Sequence, residues 1–333
     1  MRSRRAPTPG SGPAWVSGRR APLNGAEAFS GATLELVELA DGRRIVLKHL
    51  PVGGDWLTRA TGGGGRLRLL WEAGLLEGID SIVDHTILRM ERVHGSDVVV
   101  MRDATKQLIP SGPVARSTSR LLLERLAAMH HRLAGTQAAG LCSISDRFAM
   151  FAPAFHATDV GCGRHPLADR IVRGWAVFHD RLPVDVVEAV FTVHRHPDRL
   201  ARRLNAAPST LLHGDAKLEN LGLWPDGRLV AIDWGDLTGI GPPEIDVAWY
   251  ALKAASRVGC CPEDVFDDYR MASAEPLDAV ALDVACVGSL AQMGFRLALG
   301  AFDNGPEDPT TARRLLRWWV GRTRDALTRL GPV

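Results

Sequence analysis

The 333-residue sequence has no excess of either charge: 40 Lys and Arg stand against 38 Asp and Glu, a formal net charge of +2. Such a chain presents no whole-molecule basic field, so neither nucleic acid nor an anionic membrane is expected as a partner. It also has little uninterrupted apolar sequence. Across residues 278–302 the longest charge-free stretch, 284–295, is broken by Ser289 and Gln292 and falls short of the ~20 residues a bilayer crossing needs. The five cysteines (142, 162, 260, 261 and 286) are odd in number and show no CxxC spacing, so reduced thiols in a cytoplasmic protein are expected. Residues 1–22 are basic and rich in Pro and Gly without the apolar core of a secretory signal. Residues 1–23 are therefore expected to stay disordered, because they hold few apolar side chains to offset the entropy of ordering them.

What is present is ordinary globular composition, 46% hydrophobic and 23% charged, enough for two cores of about 150 residues each. Residues 33–39 (TLELVEL) alternate between faces, Asp41 and Gly42 supply a turn, and residues 43–49 (RRIVLKH) return, which reads as a β-hairpin. Glycines 62–65 lead into residues 66–76 (RLRLLWEAGLL), whose apolar positions follow helical spacing. A second hairpin is expected from residues 87–93 and 97–101 around His94, Gly95 and Ser96. Beyond Pro113 the pattern turns helical, first at residues 116–133, except for a third hairpin at 221–224 and 229–232. The expected fold is thus α+β in two lobes: residues 24–103 as a small antiparallel sheet with one helix, and 104–333 as a larger, mostly helical lobe.

The chemistry concentrates in residues 211–221 (LLHGDAKLENL) and 230–235 (VAIDWG). Asp215 and Asn220 lie five apart on a loop before the third hairpin, and Asp233 ends that hairpin thirteen residues later. Phosphoryl transfer from ATP needs such parts: a carboxylate to orient the attacking hydroxyl, and hard oxygen ligands for Mg²⁺ on the phosphates. Trp234 and Gly235 after Asp233 parallel the Asp-Phe-Gly arrangement of kinases.

On the motif HGDxxxxN followed by IDW, the sequence resembles the aminoglycoside phosphotransferase and choline kinase family, a small-molecule branch of the protein-kinase-like fold. The resemblance spans residues 30–250 and is strong over 213–235. It implies Asp215 as catalytic base, Asn220 and Asp233 as magnesium ligands, and His213 as a scaffold of the loop. Lys217 stands where these relatives often carry His; a cation there could neutralise charge on the transferred γ-phosphoryl group. The family pattern also calls for a strand lysine on the α- and β-phosphates, held by a helix glutamate. Lys48 ends the apolar strand and fits that role, with Glu72 as its expected partner and Glu77 as the fallback. The phosphate-covering loop is not GxGxxG, which leaves Ser30 and Gly31 as the nucleotide contacts there. Asp236 reads equally as a substrate or second-metal residue and as a turn aspartate, while Asp246 is expected to cap a helix or brace the catalytic loop. Glycines 62–65, lacking a following Gly-Lys-Ser/Thr, read as a linker, and the His130/His131 and His194/His196 pairs lack a third metal ligand.

Residues 234–310 carry thirteen acidic and four basic side chains, which favours a cationic acceptor such as an aminoglycoside, another amino sugar or a basic peptide, unless these are simply solvated helix faces. The sequence thus predicts a cytoplasmic, monomeric or dimeric kinase using ATP and Mg²⁺ to phosphorylate a hydroxyl of a small molecule. Two alternatives are a protein kinase, disfavoured by the IDW signature and the lack of an Ala-Pro-Glu-ended activation segment, and a non-catalytic nucleotide-binding regulatory module.

Overall fold

The computed structural model describes residues 16–23, 31–51, 53–162, 167–303 and 308–331. Its first lobe is a five-stranded sheet of order β1-β2-β3-β6-β5, antiparallel throughout, from strands β1 (Arg19–Pro22), β2 (Thr33–Glu38), β3 (Arg44–His49), β5 (Ile87–Val93) and β6 (Ser96–Arg102). The β5–β6 connection is a two-residue turn, with φ of 49° at His94 and 83° at Gly95, the positive pair that a tight hairpin of right-handed twist requires. Period-two alternation puts Ile45 and Leu47 on one face of β3, in a cluster with Val37, Val98 and Val100, and leaves Val46 and Lys48 facing the other way.

Residues 1–15 lie outside the described residues, but strand β1 corrects the expectation of a disordered or loosely tethered leader over residues 16–23. Val16 is buried and closes the Val37–Leu47 cluster, and Arg19 and Arg20 pair with Glu38 and Glu35 across the β1–β2 ladder. The apolar content that composition undercounts is one valine placed over an otherwise open sheet face. The lobe also has two helices where one was expected, α1 (Trp56–Ala60) and α2 (Arg66–Glu72), with glycines 62–65 forming the joint between them.

Strand β4 (Val83–Asp84) pairs in parallel with β9 (Leu229–Ala231), which forms the third hairpin with β8 (Leu221–Leu223), so a short three-stranded sheet ties the lobes together. Strands β7 (Thr210–Leu212) and β10 (Gly239–Gly241) form a separate pair. The second lobe is built from α3 (Arg116–Arg132), α4 (Ile144–Ala149), α5 (Pro153–His156), α6 (Ala168–Arg181), α7 (Val184–Arg195), α8 (Pro197–Ala201), α9 (Glu244–Val258), α10 (Pro262–Ala272), α11 (Ala279–Phe302) and α12 (Pro309–Leu330).

Helix α11 is long and apolar enough to cross a bilayer by length and composition, but it is buried inside the helical lobe, against α6, α9 and α12. Small residues permit this: a Cβ at Gly174 of α6 would lie 2.6 Å from the Phe295 carbonyl oxygen, and one at Gly288 would overlap the Phe148 ring. The architecture is the two-lobed, kinase-like α+β fold read from the sequence.

Candidate active site

The loop of residues 213–220 joins β7 to β8, and two residues fix its path. Asp246, fully buried in the first turn of α9, accepts the backbone N–H groups of His213 (2.7 Å) and Gly214 (3.0 Å) and meets His130 Nε2 at 3.3 Å. Burial works to neutralise this carboxyl, but the His130 hydrogen bond and the charge of Arg147 outweigh it and hold its pKa below the usual carboxylate range. Gly214 has φ of +84°, and a Cβ there would stand 1.9 Å from the Leu237 carbonyl oxygen, so the chain can pass only as glycine.

His213 donates from Nε2 to the Ile232 carbonyl (3.0 Å) and accepts the Asp215 N–H at Nδ1 (3.2 Å), which assigns its tautomer from its partners. Its ring lies against Trp234, centroids 4.5 Å apart, and burial favours the neutral imidazole, lowering its pKa. The tryptophan at this position therefore holds the histidine that holds the loop.

The carboxylate of Asp215 is oriented at both oxygens. Oδ1 accepts Trp249 Nε1 at 2.9 Å; Oδ2 accepts Lys217 Nζ at 2.6 Å and Asn220 Nδ2 at 2.9 Å. Asn220 Nδ2 also donates to the Asp215 carbonyl at 3.0 Å, so both amide hydrogens are engaged and the amide oxygen is left for another ligand. Burial opposes the charge of Lys217, but Asp215 outweighs it and raises the lysine pKa. A backbone hydrogen bond from Ile232 to the Asn220 carbonyl (2.9 Å) brings the end of β9 beside this loop.

Asp233 follows at once with φ of +66°, an unfavourable backbone for a non-glycine residue of the kind that concentrates at functional sites. It forms an ion pair with Lys48, whose side chain is 13% exposed while that of Asp233, open to the cleft, is 44% exposed. The lysine charge holds the Asp233 pKa at about 2, and Asp233 in turn overcomes the burial that would discharge Lys48. The structure thus brings Lys48, Asp215, Lys217, Asn220 and Asp233 into one cluster.

Over its residues 36–278 the sequence matches the model of the phosphotransferase enzyme family, APH. The chain belongs to that family. It is a small-molecule kinase. Among solved structures it is similar to an aminoglycoside phosphotransferase of Streptomyces rimosus in complex with ADP and streptomycin (17% identity over 80% of this chain and 94% of that one, TM-score 0.50), which shows the shared fold. Choline kinase of Streptococcus pneumoniae (14%, covering 94% and 92%, TM-score 0.46) and a putative fructosamine-3-kinase of Thermobifida fusca (21%, covering 93% and 94%, TM-score 0.45) also match. No curated protein matches the sequence.

In this phosphotransferase several expected contacts are absent. Glu72 does not reach Lys48: it is the last residue of the short helix α2, its side chain is 61% exposed, and it pairs with Arg68, which Asp97 also holds. Glu77, the fallback, is likewise exposed. The carboxylates whose charge reaches Lys48 are Asp233, Asp236 and Asp55, the last capping α1 through Thr58 N–H at 2.8 Å. Burial and the nearby Asp55 push the Asp236 carboxyl up to about 6. Helix α2 is anchored to this region by Arg66 instead, which donates to the Asp236 carbonyl oxygen and to Thr61. Gly31, with φ of +65°, sits 4.0 Å from the Asp55 Cβ by its would-be side chain, while Ser30 lies outside the described residues.

Three residues escaped the sequence reading. Trp249 positions Asp215, and Arg147, almost fully buried, donates to the Gly214 carbonyl and lies 5.1 Å from the Trp249 ring. His130, set aside as half of a non-ligating pair, completes the Asp246 brace, with Tyr269 on its other nitrogen at 2.8 Å. Only the expectation that Asp246 braces the loop hinted at any of these.

The acidic excess has a structural use. Asp268 is held by Arg116 and Arg120, Asp283 by Arg322 and Arg329, and Glu263 and Asp267 by Arg270; Asp278 and Asp308 cap α11 and α12. These six carboxylates serve arginines or helix starts within the lobe, whereas Asp236 lies close enough to act on Lys48 and Asp246 braces the loop at 213–214, so the acidic count over 234–310 largely reflects the lobe's own structure.

Proposed function

We propose that this kinase transfers the γ-phosphoryl group of ATP to a hydroxyl of a small molecule, with Asp215 as the base. The observation that carries the reading is the Asp215 carboxylate itself, fixed by Trp249, Lys217 and Asn220, with Lys217 near enough to Asp233 of the Lys48–Asp233 pair to feel its charge. Oδ1, with a single donor, keeps an acceptor site for the incoming hydroxyl proton. Lys217 lies where its ammonium can pass from Asp215 to the charge developing on the γ-phosphoryl oxygens. Lys48 does the same for the α- and β-phosphates, releasing Asp233.

The Asn220 amide oxygen and the Asp233 carboxylate are hard oxygen donors of the kind Mg²⁺ takes; Asn220 spends its amide hydrogens on Asp215, and Asp233 meets Lys48 through Oδ1 alone. The ion supplies charge neutralisation of the phosphates when bound. His213 and Asp246 touch neither nucleotide nor acceptor; they hold the loop on which the base sits.

The test is a thermal shift with ATP, with and without Mg²⁺. Wild type should be stabilised more with the ion, and Asp233→Asn should lose that increment while keeping the ion-independent part. An increment equal in both proteins would remove Asp233 from metal binding.

A further inference from the structure

The side chain of Lys48 is 13% exposed, and its ion pair among the described residues is with Asp233. Once the nucleotide releases Asp233, this enclosed ammonium loses the carboxylate that offsets its burial. We propose that Asp55, together with Asp236, then holds Lys48 on the phosphates, so that helix α1 supplies the positioning carboxylate expected from Glu72 of α2. The assignment rests on Lys48 binding the nucleotide as proposed above.

Lys48 lies at the centre of the sheet, opposite Leu34 of β2 and Val99 of β6, on the face away from the Val37–Leu47 cluster. Seven residues on, Asp55 caps α1: its Oδ1 accepts the Thr58 N–H at 2.8 Å, while its Oδ2 takes no hydrogen bond among the described residues. Asp55 also stands beside the expected nucleotide loop, its Cβ 4.0 Å from where a Gly31 Cβ would be. Its charge acts on both Lys48 and Asp236. Two neighbouring carboxylates repel each other, and Lys48 is a cation that both attract.

Helix α1 is anchored firmly enough to aim a side chain. Trp56, next to Asp55, is buried against Phe151 and His156, with ring centroids 5.6 and 5.7 Å away, and Arg59 pairs with Asp159 at 3.2 Å. At its other end, Arg66 donates to the Thr61 hydroxyl (2.6 Å), the Thr61 carbonyl and the Asp236 carbonyl (2.7 Å). One guanidinium thus ties the end of α1 to the residue that shares Lys48 with Asp55.

The test separates charge from capping. Asp55→Asn and Asp55→Ser keep an N-cap acceptor and remove the charge, so their urea midpoints should stay near that of the wild type. In fluorescence titrations with ATP and Mg²⁺, either variant should raise the Kd roughly threefold to tenfold, within the range of coupling inside one ion-pair network. In a Lys48→Ala background the same substitutions should leave the Kd unchanged or lower it, because only repulsion between Asp55 and the phosphates remains. Asp236→Asn should follow the same pattern, which the loss of a metal ligand would not.

A Kd equal to the wild type in both Asp55 variants, or one raised by the same factor with and without Lys48, would overturn the inference and leave the kinase reading intact. An Asp236→Asn rise that persists in Lys48→Ala would assign Asp236 to the metal and overturn its share in holding Lys48. ATP binding that is absent, or indifferent to Lys48→Ala, would remove Lys48 from the phosphates and the inference with it.

Discussion

Replacing Asp246 by Asn removes one charge and no volume, and the structure lets its effect be worked out. The carboxylate accepts three hydrogen bonds, from the backbone of His213 (2.7 Å) and Gly214 (3.0 Å), one on each oxygen, and from His130 (3.3 Å). An amide has a single acceptor oxygen, so one backbone N–H must face an NH₂ group and remain unsatisfied, at a cost of about 1–3 kcal/mol. The retained bond loses its charge assistance, and the buried Arg147 guanidinium loses the carboxylate whose charge offsets its burial. Leaving a buried charge uncompensated costs at most about 3–5 kcal/mol when the partners are in direct contact, which bounds the expected total from above.

Urea denaturation followed by circular dichroism measures it, with the midpoint falling and the slope unchanged. Asp267→Asn is the control: its exposed pair with Arg270 should contribute about 0–1 kcal/mol. A loss below 1 kcal/mol in Asp246→Asn, or one equal to the control, would refute the view that this carboxylate holds the catalytic loop.

Lys48→Ala should raise the Kd for ATP by roughly tenfold or more through loss of a charge-assisted phosphate contact, measured by fluorescence titration; an unchanged Kd would take Lys48 out of the nucleotide site. Gly214→Ala should destabilise the fold by at least about 2 kcal/mol in the same urea assay, because φ of +84° and a Cβ 1.9 Å from a carbonyl oxygen demand a backbone shift. His194, partly buried beside Trp175 and bonded to the Ala291 carbonyl, has its pKa lowered to about 4 from 6.5 by desolvation of its ring. Above pH 6.5 it is neutral folded or unfolded and its contribution is complete. As the pH falls from 6.5 to 4 the unfolded chain takes the proton and the native state does not, so stability falls, by up to roughly 3 kcal/mol. His194→Gln should shrink the stability difference between pH 7 and pH 5; an identical difference in both proteins would show that burial does not lower the His194 pKa in the folded state.

The hairpins were legible because alternation and turn residues are local signals: Asp41-Gly42 and His94-Gly95 mark their turns within one residue. That Asp215, Lys217 and Asn220 share one loop was legible because they lie within six positions, with Asp233 ending the hairpin that follows; their chemical roles stay with the proposal. What sequence could not supply were partners chosen by tertiary packing. Glu72 has the residue type and a suitable distance along the chain, but α2 stops after seven residues and turns its last side chain toward Arg68. Trp249 and Arg147 carry no motif in the sequence; their roles exist only where α4 and α9 meet the loop. Strand β1 was missed because the buried area that orders it comes chiefly from Val16, outside the strand.

The central claim is that Asp215 is the base of a phosphoryl transfer to a small-molecule alcohol. The measurement that bears on it most directly is ADP release with ATP and Mg²⁺ across a panel of small-molecule alcohols, in wild type and in Asp215→Asn. Asparagine keeps the volume and can keep the Trp249 contact but cannot accept the hydroxyl proton as a base. The account predicts release that depends on one acceptor class and falls by a factor on the order of 10²–10⁴ in the variant. Acceptor-dependent release that survives Asp215→Asn at the wild-type rate would contradict it.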